Sequence, residues 1–140
     1  MSQENKLIYQ RLFDEYWAGD DENVLEALVA ENHINHTLGV NGPAGYKEFM
    51  KPFREGLPDF HFITHFQLGD GDYVISVWTG VATHTGPFMG VPATFKEVSF
   101  SGACIARLEN GKVVEEWSYP DMFSLMTQIG AISQPETATV

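Results

Sequence analysis

The sequence predicts an α+β domain, with helices gathered at its start and an antiparallel meander after them. Three observations carry that prediction. Apolar residues recur at helical spacing as far as Phe53, the period changes to two from Pro58 onward, and tight-turn sequences separate the extended runs. A βαβ fold would alternate helices and strands. With 140 residues there is room for one domain, placed at residues 1–132 with a frayed polar tail over 133–140.

Leu7, Ile8, Leu12, Phe13, Tyr16 and Trp17 form a broad apolar stripe on a first helix, which Gly19 stops. Asp20 or Asp21 can cap a second, shorter helix with Val24, Leu25, Leu28 and Val29 on its buried face. An extended stretch over 33–38 runs into a turn-rich segment, Gly39 to Gly45. Tyr46, Phe49, Met50 and Phe53 then mark a third helix, which Pro52 should kink or shorten. Phe60, Phe62, Phe66 and Leu68 alternate with His61, His65 and Gln67, the pattern of a half-buried strand. Turns at 69–72 and at Glu109-Asn110-Gly111 separate strands over 73–85, 95–108 and 113–119. Pro120 ends the last strand, and a short helix over 122–129 closes the domain.

Composition narrows the function. The chain is 44% hydrophobic and 13% aromatic, enough to bury a core. Its 8 Lys+Arg against 19 Asp+Glu give a net charge of -11, which repels nucleic acid and anionic membranes. One cysteine cannot form an internal disulfide, and no long apolar run is present, so a cytoplasmic protein is expected.

Candidate chemistry follows from side-chain parity. Trp78, Gly80, Ala82 and His84 share one face of a strand, and Phe100, Gly102, Cys104 and Ala106 share a face of the next. Either the small residues leave a hollow between sheet and helices, with His84 at its edge, or the two glycines only let the sheet bend. Asp121 also has two readings. Continued extended chain would set it beside Trp117 and Tyr119, an apolar setting in which a carboxylate becomes a better proton acceptor; alternatively it caps the last helix and becomes a poorer one. Glu115 and Glu116 read as surface or rim charges, and Cys104 as a buried small hydrophobe. His33 with His36, or His61 with His65, could supply metal-ligand pairs with His84 as a third. No cysteine cluster or His-Glu-x-x-His motif supports that, and no metal is expected.

Several segments together resemble the SnoaL-like polyketide cyclases. They are Gly42-Pro43-Ala44-Gly45-Tyr46, Leu57-Pro58-Asp59, Gly71-Asp72-Tyr73-Val74, the run from Thr83-His84-Thr85-Gly86 to Pro92, and Asn110-Gly111-Lys112 to Trp117, followed by Asp121 and Gln128-Ile129-Gly130. The resemblance implies a cone-shaped α+β barrel of about three helices on a strongly curved, mostly antiparallel sheet. It implies cofactor-independent acid–base chemistry on a small hydrophobic, carbonyl-bearing, polyketide-like substrate: proton abstraction next to a carbonyl, then intramolecular aldol closure. On this resemblance Asp121 is the base, His84 the pocket histidine, and His36 a second donor. Tyr16 or Trp17 is the helix-one aromatic of the pocket, and Phe53, Trp78, Phe88, Met89 and Trp117 are further ligand contacts. The family's usual Pro-Pro-Thr-Gly-Lys is replaced by Pro92-Ala93-Thr94-Phe95-Lys96, a departure at the pocket mouth that bears on substrate identity. Isomerases, dehydratases and noncatalytic binding domains share the fold, and its sheets commonly pair, so a homodimer or higher oligomer is expected.

Overall fold

A computed structural model describes residues 2–132, so the expected frayed tail over 133–140 lies outside the described residues. Helix α1 (Ser2–Arg11) continues into a π-helical stretch, Leu12–Trp17. The extra residue per turn shows in the bond from Ala18 N to Phe13 O, 3.0 Å, five residues back. That wider turn points Leu12, Phe13, Tyr16 and Trp17 all inward, while Leu7, expected in the stripe, is 64% exposed. Arg54 holds the end of the stretch by donating to the carbonyls of Tyr16 (2.6 Å) and Trp17 (2.7 Å). A Cβ at Gly19 would lie 2.6 Å from Glu15 O, so the chain turns there only with glycine. Asp21, of the two candidate caps, accepts from Asn23 N and Val24 N to start α2 (Glu22–Leu28).

Strand β1 (Val29–Asn35), the short β2 (Val40–Asn41) and α3 (Gly42–Gly56) follow. Of the two effects expected of Pro52, it does not shorten α3, which runs on to Gly56 because its apolar face, with Tyr46, Met50 and Phe53, stays buried on both sides of that residue. The sheet is completed by β3 (His61–Asp70), β4 (Tyr73–Thr83), β5 (Glu97–Glu109) and β6 (Lys112–Pro120), and α4 (Met122–Gln128) packs last. The strand order is β2-β1-β6-β5-β4-β3, antiparallel throughout except for the parallel β1–β6 pair. The expected α+β architecture is therefore present, with the helices over the inner face of a curled six-stranded sheet. Among the described residues no helix is long and apolar enough to cross a membrane.

Two bulges change which residues face inward. In β3, Thr64 pairs with Trp78 and Phe66 with Val77, so His65 is an extra residue. Beyond it Phe66 (50% exposed) and Leu68 (59%) turn outward, against the expected alternation. In β6, Leu108 pairs with Val113 and Arg107 with Glu115, leaving Val114 as the extra residue. This second inversion turns Glu116 and Ser118 toward the helices and sends Trp117 and Tyr119 to the outer face.

Candidate functional site

Between helices and sheet lies a cavity of about 70 Å³. Phe13 and Trp17 of the π-helical stretch form one wall, and Tyr46, Phe49, Met50 and Phe53 of α3 another. The sheet contributes Phe60, Phe62, Trp78, Phe100 and Cys104, and its last strand adds Glu116, Ser118 and Pro120. The rings meet mostly edge to face, as in the Phe62–Trp78 pair with centroids 4.9 Å apart, which favours an apolar, aromatic-lined space.

The strand glycines do not open this space. A Cβ at Gly102 would lie 2.5 Å from Trp78 Cζ2, and one at Gly80 3.0 Å from the Phe60 ring. Their missing side chains seat neighbouring rings, so the hollow is not the space these small residues were expected to leave.

Glu116 is the only carboxylate on the cavity wall among the described residues, and it is 1% exposed. Its Oε2 accepts from Tyr9 Oη at 2.5 Å, and its Oε1 accepts from Tyr46 Oη at 2.5 Å and from His33 Nε2 at 2.9 Å. Gly42 N donates to His33 Nδ1 at 3.1 Å, which fixes the imidazole proton on Nε2, facing Glu116. Burial first, then the negative charge of Glu116, raises both phenols well above the usual tyrosine range, so they stay protonated donors. Parallel pairing of β1 with β6, Asn35 against Glu116, sets His33 and Asn35 beside Glu116 and Ser118.

Asn35 extends the array. Its Oδ1 accepts from Thr37 N (3.1 Å) and Leu38 N (2.9 Å), which orients the amide, and its Nδ2 donates to Tyr46 Oη (2.9 Å) and Ser118 Oγ (3.0 Å). Cys104, also on the wall, accepts from Trp78 Nε1 at 3.4 Å and donates to Ser118 Oγ at 3.5 Å. Burial pushes its thiol up to about 11, with the Glu116 charge adding to the shift.

Of the residues expected at the site, Trp17, Phe53 and Trp78 line the cavity. Asp121 does not: it is exposed, and its Oδ1 accepts from Ser124 N at 3.0 Å as the N-cap of α4. The desolvated setting expected for it rested on a shared face with Trp117, and the Val114 bulge turns that face outward. His84 is fully buried but off the cavity wall. Thr94 N and Thr94 Oγ1 both lie against its Nδ1, and its Nε2 has no partner among the described residues. His36 lies outside, its Nε2 2.7 Å from Glu115 Oε2 and its ring stacked on Trp117 with centroids 4.9 Å apart. Glu115 and Glu116 were both expected as surface or rim charges; Glu115 is one, held below the ordinary carboxylate range by His36 and then Arg107, but Glu116 is not, because the Val114 bulge turns it inward. Tyr16 is buried under the Arg54 guanidinium, Phe88 is buried against Phe53, and Met89 is 60% exposed; none of the three touches the cavity.

The sequence reading missed Glu116, Tyr9 and Ser118 as a group. The available signal was the Glu115-Glu116 pair, since two adjacent strand residues face opposite ways and one of them had to point at the core. Among the described residues no cluster of His, Cys, Asp and Glu is arranged to hold a metal ion.

Solved structures with this architecture are numerous. A protein from Jannaschia sp. CCS1 named for the SnoaL-like polyketide cyclases superposes with a TM-score of 0.83 at 26% identity, covering 94% of each chain. Another, from Bacillus cereus ATCC 10987 and named for the polyketide cyclases, gives 0.80 at 27% identity over 93% of this chain and 83% of that one. AclR from Streptomyces galilaeus, named as a hydroxylase, gives 0.85 at 24% identity over 96% and 85%, a likeness of fold alone. No curated protein matches the chain. The model of one family, described as SnoaL-like polyketide cyclase, matches residues 7–129, and on that match the chain belongs to the SnoaL-like polyketide cyclase family.

Proposed function

We propose that this protein is a cofactor-independent acid–base enzyme acting on a small hydrophobic molecule with a carbonyl group, and that Glu116 is its base. The observation that supports this reading is a single carboxylate on an aromatic-lined wall, held in place by two phenols and an imidazole. Such a group is already oriented, so little reorganisation is needed when a ligand enters. Glu116 takes a proton from the carbon next to the carbonyl. The C–H electrons pass into the carbonyl as an enolate, whose carbon attacks a second carbonyl in the same molecule. The resulting alkoxide recovers the proton from Glu116, and the ring is closed with no net loss of atoms. Isomerisation would use the same first step.

The base role passes from Asp121 to Glu116 because Asp121 is exposed and off the cavity wall, whereas Glu116 stands on it. The test is uptake of deuterium at the methyl carbon of acetophenone in heavy water, followed by NMR. Wild-type protein should accelerate it, Asp121→Asn should keep that rate within about threefold, and Glu116→Gln should lose it. The opposite order would return the role to Asp121, and no acceleration by the wild type would leave only ligand binding.

We further propose a homodimer formed through the outer face of the sheet, where Phe66, Leu68, Tyr73 and Tyr119 stand exposed. Sedimentation should show a dimer that Phe66→Lys with Tyr119→Lys converts to monomer; a wild-type monomer at micromolar concentration ends this proposal. The buried thiol suits a reducing cytoplasm.

A further inference from the structure

Hydrogen-bond accounting along the polar wall leaves one donor to spare. Asn35 cannot flip, because its Oδ1 already accepts from two backbone N–H groups. Its Nδ2 therefore donates to Ser118 Oγ, 3.0 Å away, and makes that oxygen an acceptor. The Cys104 thiol points the same way: its sulfur receives the indole N–H of Trp78, and its own hydrogen goes to Ser118 Oγ. Both neighbours give to Ser118, which is 8% exposed and on the cavity wall, and its hydroxyl hydrogen has no acceptor among the described residues. Tyr9 and Tyr46 have spent their hydrogens on Glu116.

We infer that Ser118 is the ligand-binding donor of the cavity, giving its hydroxyl hydrogen to a carbonyl oxygen of a neutral ligand. Neutrality follows from Glu116. Its carboxylate shares the wall with Ser118 and is joined to it through Tyr46 and Asn35, and its charge opposes a second carboxylate in the same apolar space. The pair therefore selects a ketone over the acid of the same shape. A ligand oxygen on Ser118 also sits where negative charge develops when the adjacent carbon loses its proton. This inference rests on the proposed acid–base reading for its catalytic consequence, and on the hydrogen-bond pattern alone for the binding contact.

The experiment uses acetophenone and benzoate as probes of the intact chain. Binding is read by tryptophan fluorescence, since Trp17 and Trp78 line the cavity, and the contact by the infrared carbonyl stretch of bound 13C-labelled acetophenone. In wild-type protein the stretch should fall below its value in hydrocarbon solvent, and benzoate should bind at least about tenfold more weakly than the ketone, the discrimination of a good buried polar contact. Ser118→Ala should return the stretch toward the hydrocarbon value and weaken acetophenone about fivefold, while Ser118→Thr, which keeps the hydroxyl, should retain the lowered stretch. An unshifted stretch in the wild type, a shift that survives in Ser118→Ala, or equal binding of benzoate and acetophenone each overturns the inference. So does failure of acetophenone to bind. Deuterium uptake that depends on Glu116 but not on Ser118 would leave the acid–base reading standing and remove only Ser118, so the two failures are distinguishable.

Discussion

Replacing Glu116 by glutamine is expected to slow deuterium uptake into acetophenone about 10²- to 10⁴-fold, the usual contribution of a positioned base. The amide has the shape of the carboxylate but cannot take up a proton at this acidity. Its oxygen can keep the donors on the Oε1 side, Tyr46 and His33, and its nitrogen can give a hydrogen to Tyr9, whose hydroxyl is able to turn and accept. The variant should therefore fold, at a cost of about 1–2 kcal/mol in stability. Glu116→Ala separates the two effects, since it strands three buried donors and should cost more stability than the glutamine form. Measured by NMR exchange alongside thermal denaturation, a glutamine variant that unfolds less readily than the alanine variant yet exchanges at the wild-type rate would remove Glu116 from the chemistry.

Gly86→Ala is expected to destabilise the fold by about 3 kcal/mol, the upper part of the range for forced overpacking. A Cβ there would run into the backbone carbonyl of Glu55, closer than any atoms can approach without a shift in the chain. Neither side can yield cheaply. Gly86 N and Thr85 N both bond to Gly56 O at the end of α3, and a Cβ on Gly56 would in turn meet Phe88 Cβ at 2.6 Å. Two glycine-dependent close approaches and two hydrogen bonds thus fasten the loop after His84 to the helix carrying Tyr46 and Phe53. A midpoint lowered by roughly 10 °C is the expected readout, from the usual relation between free energy and midpoint for a domain of this size. A shift under about 2 °C would show that the loop moves aside freely.

Much of the architecture was legible in the sequence because its signals are local. The helix stripes, the GDGD and Glu109-Asn110-Gly111 turns and the order of helices before strands each need only a few neighbouring residues. The site was less legible because it depends on parity, which one inserted residue reverses. His65 reversed it for Phe66 and Leu68, and Val114 reversed it for Glu116, Trp117 and Asp121. Neither insertion leaves a mark in the alternation, since Val113 and Val114 are both buried and both suit a strand. The histidines illustrate a second limit. His33 and His36 are three residues apart, yet one holds Glu116 and the other lies on the outer surface, a separation set by strand pairing far along the chain.

The thiol between Trp78 and Ser118 gives the molecule a built-in clock. Cys104 is the chain's one cysteine, sits on β5 between two hydrogen-bonded neighbours in the six-stranded sheet, and is both covered and reluctant to ionise. An alkylating reagent must enter the cavity to reach it, so the rate of labelling in native buffer counts entries into that space. No engineered reporter is needed, and any occupant that braces the interior should slow the count.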